Sequence, residues 1–207
     1  MKIAIIGAGS VGAALGKQWI KSGHQVVYGA RDPESPKLQA ALESAPGARS
    51  ASIAAAAESA EVVALAVPWV ATQAAVAACR DLSGKTVLDC TNPLVSLEGL
   101  AVGHSTSGGE EVARWARGAH VVKVFNTVGA NLMEDPDFNG QAAAMLYCGD
   151  DAVSKQTAHQ LAADCGFDPV DAGPLRQARL LEPVAMLWIS MAFAGKNRDF
   201  CFKLLRR

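Results

Sequence analysis

Residues 1–12 constrain this chain more than any other stretch. Ile3-Ala4-Ile5-Ile6 is a continuous apolar run that reads as a short buried strand. It passes directly into Gly7-Ala8-Gly9-Ser10-Val11-Gly12, and a helical pattern through Leu15, Trp19 and Ile20 follows and stops at Gly23. Strand, glycine turn and helix in that order give G-x-G-x-x-G a physical meaning. Gly7 allows a sharp turn off the strand, Gly9 lets backbone come close to a pyrophosphate, and Gly12 lets the helix lie tightly on the strand. The free N–H groups of the helix's first turn, with Ser10 and Val11 among them, and the positive end of its dipole then favour phosphate. With a second strand at Gln25–Tyr28, this predicts a dinucleotide site.

The end of that second strand selects the dinucleotide. An Asp or Glu about twenty residues past the glycines would accept hydrogen bonds from a ribose 2′-hydroxyl. Here Tyr28 is followed by Gly29-Ala30-Arg31-Asp32, so small residues take the acidic position and an arginine comes next. A guanidinium can hold a 2′-phosphate bidentately, whereas a carboxylate would repel it. Asp32 is expected to cap the next helix, and Ser10 offers a second hydroxyl. The alternative for Arg31 is a solvated loop arginine; the phosphate reading makes the cofactor NADP(H).

Further along, helices are expected at Ser35 to Glu43, Ile53 to Ser59 (capped by Ser52), Val70 to Cys79 and Ala152 to Cys165. Strands are expected at Val62 to Val67, Thr86 to Cys90, His120 to Phe125, Ala142 to Cys148 and Asp168 to Asp171. Val62-Val63-Ala64-Leu65-Ala66-Val67 has no polar alternation, as a strand covered on both faces requires. Strands alternating with helices predict an α/β chain, a doubly wound Rossmann-type parallel sheet. The expected division is a dinucleotide-binding domain over 1–150 and a strand–helix extension over 151–207. Ligands in such sheets sit beyond the carboxyl ends of the strands. That places Val67-Pro68-Trp69, Cys90-Thr91-Asn92-Pro93 and Phe125-Asn126-Thr127 at the cofactor.

Residues Leu94 to Gly109 lack periodicity and read either as a linker or as a substrate loop. Ser107 and Glu110 form a capping box for a helix through Arg117. The last helix, from near Leu175 to about Ala194, is apolar over most of its circumference, and a partner subunit is the expected cover, in a homodimer or higher homo-oligomer.

The 207 residues carry a formal charge of −1, with Lys and Arg scattered rather than striped, so no nucleic-acid surface is expected. The apolar run Val184 to Ala194 is too short to span a bilayer. The five cysteines form no C-x-x-C pair and read as reduced thiols, which fits a cytoplasmic protein. The four histidines have no metal-ligand spacing, and no metal is expected.

No nucleophile elbow and no Tyr-x-x-x-Lys pair is present. Carbonyl reduction normally needs a proton donor. Its absence points to an acceptor that needs little help, such as a flavin-like ring stacked against the nicotinamide. Asn126 could bind a carboxamide, polarise an acceptor oxygen, or simply form a turn.

The fingerprint at 6–12, Gly29-Ala30-Arg31, Val67-Pro68-Trp69, Cys148-Gly149-Asp150-Asp151 and Val170-Asp171-Ala172-Gly173-Pro174-Leu175, with Arg179 and Glu182 beyond it, resembles the deazaflavin (coenzyme F420)-dependent NADP reductases. The resemblance implies two-electron transfer between NADP(H) and a deazaflavin, without an acid–base residue, in an oligomer. It places Ser10, Ala30 and Arg31 around the 2′-phosphate and Pro68 and Trp69 on the nicotinamide side. The family's usual His-Thr-Ile-Pro is here Asn126-Thr127-Val128-Gly129, which looks more like the flavin-using reductase domains of six-transmembrane metalloreductases. Two other readings are a small imine or β-hydroxyacid reductase, with Lys196-Asn197 as its weak polar pair, and a non-catalytic NADP(H) sensor.

Overall fold

The computed structural model describes residues 1–96, 99–195, 197–205 and 207; Lys196, named above with Asn197, lies outside them. Its first strand, β1 (Lys2–Ile6), shows how the core is divided. Ile3 and Ile5 point into one apolar cluster and Ala4 and Ile6 into another, because successive side chains leave a strand on opposite faces. The same holds along the central β4 (Val62–Leu65), all four residues of which are buried. A run without polar alternation thus becomes a strand with a helical layer on each side.

The first of those layers contains α1 (Ser10–Lys21), α2 (Pro36–Ser44), α6 (Ala130–Glu134) and α7 (Ala152–Asp164). The second contains α3 (Ile53–Ser59), α4 (Trp69–Ala78) and α5 (Gly108–Trp115). Between them lie β2 (Gln25–Ala30), β3 (Arg49–Ser52), β5 (Thr86–Asp89), β8 (His120–Lys123), β9 (Ala144–Gly149) and β10 (Asp168–Asp171). The eight strands are ordered β10-β9-β8-β5-β4-β1-β2-β3. A small separate hairpin pairs β6 (Leu94–Ser96) with β7 (Gly99–Leu100), inside the segment read as linker or substrate loop. Leu97 and Glu98 of that segment lie outside the described residues.

Within the main sheet, two features depart from the sequence expectations. β3 was not expected at all. Its Arg49-Ser50-Ala51-Ser52 is largely exposed at the sheet edge and pairs with β2 through main chain alone, so it has no apolar run to announce it. The sheet is also not wholly parallel, since β9 runs antiparallel to β8, with Val122 opposite Gly149 and Lys123 opposite Cys148. A parallel return needs a crossover as long as the sheet is deep. The link from β8 to β9, residues 124–143, is long enough for such a crossover, but its one helix is the five-residue α6, and past the Asp137–Ala142 bridge the chain re-enters from the end it left. β10 then follows β9 in parallel through α7.

The last helix, α8 (Ala178–Gly195), follows a 3-10 turn at Leu175–Gln177. With that turn it runs over 21 residues, long and apolar enough by length and composition to cross a bilayer, unlike the shorter run read from the sequence. One stripe is buried: Ala178, Leu181, Glu182, Ala185, Trp188 and Ala192. Leu180, Leu187, Met191 and Phe193 stay exposed on the rest of its surface.

Candidate functional site

The carboxyl ends of β1, β2, β4, β5 and β8 share one edge of the sheet, and the residues singled out in the sequence fall there. At the end of β1, Gly7 has φ of +110°, a conformation that costs L side chains dearly. A Cβ on it would also lie 2.4 Å from the Ala66 carbonyl oxygen and 2.8 Å from Val67 Cγ1. At Gly12 an added Cβ would sit 2.0 Å from the Gly7 oxygen, so the helix rests on the turn itself. Gly9 is different: nothing lies within 4 Å of where its Cβ would be. Its glycine is not needed for packing, and it leaves open room at the start of α1.

That start is bare. Gly9 is the N-cap and offers no side-chain hydrogen bond, Ser10 is exposed, and the first turn carries no acidic residue. A helix end with free N–H groups and no acidic residue in its own first turn favours an anion, and the one carboxylate lining the cavity beside it, Glu134, is paired with Lys17. Gly16, which sequence reasoning missed, holds α1 in place. A Cβ there would fall 2.0 Å from Tyr28 Oη, and that hydroxyl donates to the Gly12 carbonyl at 3.3 Å. Burial pushes the Tyr28 phenol up to about 12, so it remains a neutral donor. The Gly12/Gly16 spacing on one helical face was the available signal.

At the end of β2, Gly29 is small for packing: a Cβ would meet Ile6 Cδ1 at 2.6 Å and Ile53 Cα at 3.2 Å. Ala30 is half-buried and Arg31 exposed. Contrary to the sequence expectation, Asp32 does not cap α2. Its Oδ1 instead accepts the Glu34 N–H at 2.9 Å in a local turn, and Ser35 is the helix N-cap, with Pro36 at the first helical position. An Asx turn two residues on competes with capping and wins here. Lys37, also missed, lines a cavity of about 360 Å³ with Gly9, Ser10, Ala13 and Ser44. A second cavity of about the same volume lies under the tail, against Phe138, Phe200, Cys201 and Lys203, remote from the glycine turn.

Val67 and Trp69 are half-buried and Pro68 is exposed as the N-cap of α4. Trp69 packs on Trp115 with centroids 5.3 Å apart. Asn92, past β5, and Asn126, past β8, are bonded to each other. The Asn92 Nδ2 donates to the Asn126 carbonyl at 2.9 Å, and the Asn126 Nδ2 donates to Asn92 Oδ1 at 3.1 Å and to the Leu181 carbonyl at 3.4 Å. Phe125, just before Asn126, is buried at φ +61°.

Beneath these loops lies a buried charged cluster of which the sequence marked only Glu182, through the family resemblance. Lys123 Nζ, at 0% exposure, sits 2.7 Å from Asp89 Oδ2 and 3.0 Å from Glu182 Oε1, and donates to the Thr91 carbonyl at 2.8 Å. Burial opposes the Lys123 charge, but the two carboxylates outweigh it and hold the ammonium above its ordinary range. Asp89 Oδ1 accepts from the Thr91 N–H and hydroxyl at 2.9 and 2.7 Å. The Glu182 oxygens accept the Gly108 and Gly109 N–H groups at 2.8 and 2.9 Å, the first turn of α5. The capping box is present: Ser107 Oγ accepts the Glu110 N–H and donates to its Oε2. Glu110 in turn is held bidentately by Arg179 at 2.8 and 2.7 Å. Among the described residues there is no group of metal-ligating side chains.

The family model for NADP oxidoreductases, coenzyme F420-dependent, matches residues 2–93. The F420-dependent NADP reductase of Methanothermobacter marburgensis is 31% identical over 216 residues, spanning 96% of this chain and 96% of that protein. Metalloreductase STEAP3 of Rattus norvegicus is 30% identical over 186 residues, 89% of this chain, and the chain spans only 36% of that protein's length. A solved structure of a candidate F420-dependent NADP reductase from Arthrobacter sp. FB24 matches with a TM-score of 0.91 at 33% identity, covering 100% of both chains. This chain belongs to the F420-dependent NADP reductase family, a family of NADP-dependent oxidoreductases.

Proposed function

We propose that this chain binds NADP(H) and passes a hydride between it and a deazaflavin or flavin ring. When bound, the nicotinamide supplies the hydride; the protein's part is to hold, orient and dry the rings. The open space at Gly9 and the bare first turn of α1 suit a diphosphate, with Ser10, Val11 and Gly12 around it. Arg31 takes the 2′-phosphate, with Ala30 leaving room beside it and Lys37 contributing a further cation. Val67, Pro68 and Trp69 form the nicotinamide-side wall, with Asn92 and Asn126 opposite.

The nature of the acceptor is argued from one observation. The titratable groups under the strand ends, Asp89, Lys123 and Glu182, are buried and spent on one another. A developing alkoxide would find none of them free to give a proton, whereas ring-to-ring hydride transfer needs none. The metalloreductase-like Phe125-Asn126 favours retaining a flavin beside the deazaflavin as acceptor.

The exposed apolar side of α8, with Leu180 at 62% and Leu187 at 53% exposure, is proposed to face a second copy of the chain. The test of the redox reading is anaerobic oxidation of NADPH with coenzyme F420, FMN, FAD, an imine and a β-ketoacid in parallel. Turnover is expected with F420 or a flavin. Turnover with the imine or ketoacid alone overturns the acceptor, and tight NADPH binding without any turnover makes the chain a sensor.

A further inference from the structure

Asn126 is 4% exposed, and its Oδ1 is buried with no hydrogen-bond partner among the described residues. The orientation of its amide follows from the network. The Asn126 main-chain oxygen can only accept, so Asn92 turns its Nδ2 toward it and its Oδ1 away. That Oδ1 and the Leu181 carbonyl are both acceptors, so the Asn126 group facing them is the nitrogen. Both Asn126 amide hydrogens are then committed, and the oxygen is left over.

Such an oxygen is costly to bury, and it does not stand alone. Phe125, one residue earlier, holds a left-handed backbone in a bulky buried side chain, with its N–H directed at the Met145 sulfur at 3.2 Å. Strain and an orphaned acceptor at adjacent residues, at the carboxyl end of a strand, are what a pre-set ligand contact looks like before its ligand arrives.

Resting on the NADP(H) reading above, we infer that Asn126 Oδ1 is a positioning group that accepts a hydrogen bond from the carboxamide –NH2 of the nicotinamide. The alternative role raised by the sequence, polarising an acceptor oxygen, requires a donor that Asn126 no longer has. Accepting from the carboxamide fixes which way the nicotinamide ring is turned, and hence which face it offers to the acceptor. Asn92 acts through Asn126 by holding the amide in this orientation.

The test uses calorimetric titration of the full chain and of Asn126→Ala and Asn92→Ala with three probes. These are NADP⁺, its 3-acetylpyridine analogue (a methyl where the –NH2 was) and 2′,5′-ADP, which lacks the nicotinamide. The unaltered protein is expected to bind NADP⁺ about tenfold more tightly than the acetyl analogue. Both variants should bring that ratio to within about twofold and bind 2′,5′-ADP as the unaltered protein does. The 2′,5′-ADP titration also shows that each variant is folded, and Asn92→Ala leaves the buried side chain intact if Asn126→Ala is not folded. A ratio near one in the unaltered protein, or a tenfold ratio that survives in the variants, overturns the inference while 2′,5′-ADP binding leaves the cofactor reading standing. Failure to bind any of the three overturns both.

Discussion

Replacing Lys123 with Met is the sharpest test of how this fold is held at its ligand-binding edge. Methionine keeps an unbranched apolar stem of similar length, so the packing beside Gly109 and α8 is largely kept and the change is one of charge. Asp89 and Glu182 would then be two buried carboxylates with their cation gone from 2.7 and 3.0 Å. Each retains two protein donors, Asp89 from Thr91 and Glu182 from the first turn of α5. Those bonds keep both acids from being wholly stranded, but they cannot replace a full positive charge in a site closed to water. Removing one partner of a buried ion pair costs about 3–5 kcal/mol. For a domain of this size each kcal/mol moves the thermal midpoint by about 2–4 °C, so the variant should melt about 6–20 °C lower. The assay is thermal unfolding followed by circular dichroism, checked for reversibility. Combining Lys123→Met with Asp89→Asn and Glu182→Gln should recover part of the loss, since neutral amides need no counter-charge. A single variant within about 2 °C of the unaltered protein, or a triple variant worse than the single, would refute the reasoning.

Other perturbations separate packing from binding. Gly9→Ala should leave stability within about 0.5 kcal/mol, because its Cβ meets open space, yet weaken NADPH at least about tenfold by filling that space; equal loss of both would place Gly9 in the packing instead. Arg31→Ala should weaken NADPH by about 1–3 kcal/mol and leave NADH nearly unchanged, as measured by calorimetry; equal loss for both cofactors would remove Arg31 from the 2′-phosphate. Glu110 has its carboxyl held below the ordinary range, chiefly by the Arg179 hydrogen bond. Its contribution is therefore present above the unfolded value near about pH 4.3 and is lost as pH falls through the lower folded value. Arg179→Leu should flatten the dependence of the melting midpoint on pH between about 5 and 3, modestly, because the pair is partly exposed. Leu187→Glu with Met191→Glu should shift the protein to monomer by sedimentation velocity if α8 meets a second copy, and an unchanged oligomer would exclude that face.

Most of the sheet could be read in advance because its strands are buried on both faces and its turns use glycine for a steric reason. Val62-Val63-Ala64-Leu65 can hardly be anything but a central strand, and the crowding at Gly7 and Gly12 is the crowding the glycine spacing implies. β3 had no such signal, since an exposed edge strand is held by main-chain hydrogen bonds that any residues can make. The reversal at β9 was hidden for a different reason: the link over residues 124–143 is long enough for either direction, and the path it takes around α6 is set by packing rather than by its length. Asp32 could cap a helix or close a turn, and the choice depended on where Ser35 and Pro36 began the helix.

The motifs that resembled the reductase family most specifically turn out to bear on how α8 is docked. Asp151 caps α7 through the Ser154 N–H at 2.7 Å, and Asp150 receives the Leu175 N–H at 2.9 Å. The Gly149 N–H donates to the Gly173 carbonyl at 3.1 Å, so the two segments 148–151 and 170–175 bind each other. From that clasp the helix sends Arg179 to Glu110 and Glu182 to Lys123 and to the first turn of α5. Leu181, between them, offers its carbonyl to Asn126. No local pattern could announce this arrangement, because Asp89, Lys123 and Glu182 come from three elements far apart in the chain and each alone reads as an ordinary surface charge. Their burial ties the carboxyl ends of β5 and β8 to the terminal helix, so the geometry of Asn92 and Asn126 depends on α8 being seated. Truncation before Leu175 should therefore free the Asn126 amide and expose Lys123 along with the apolar stripe, and a folded truncated chain with an intact Asn92–Asn126 pair would show that the edge holds itself.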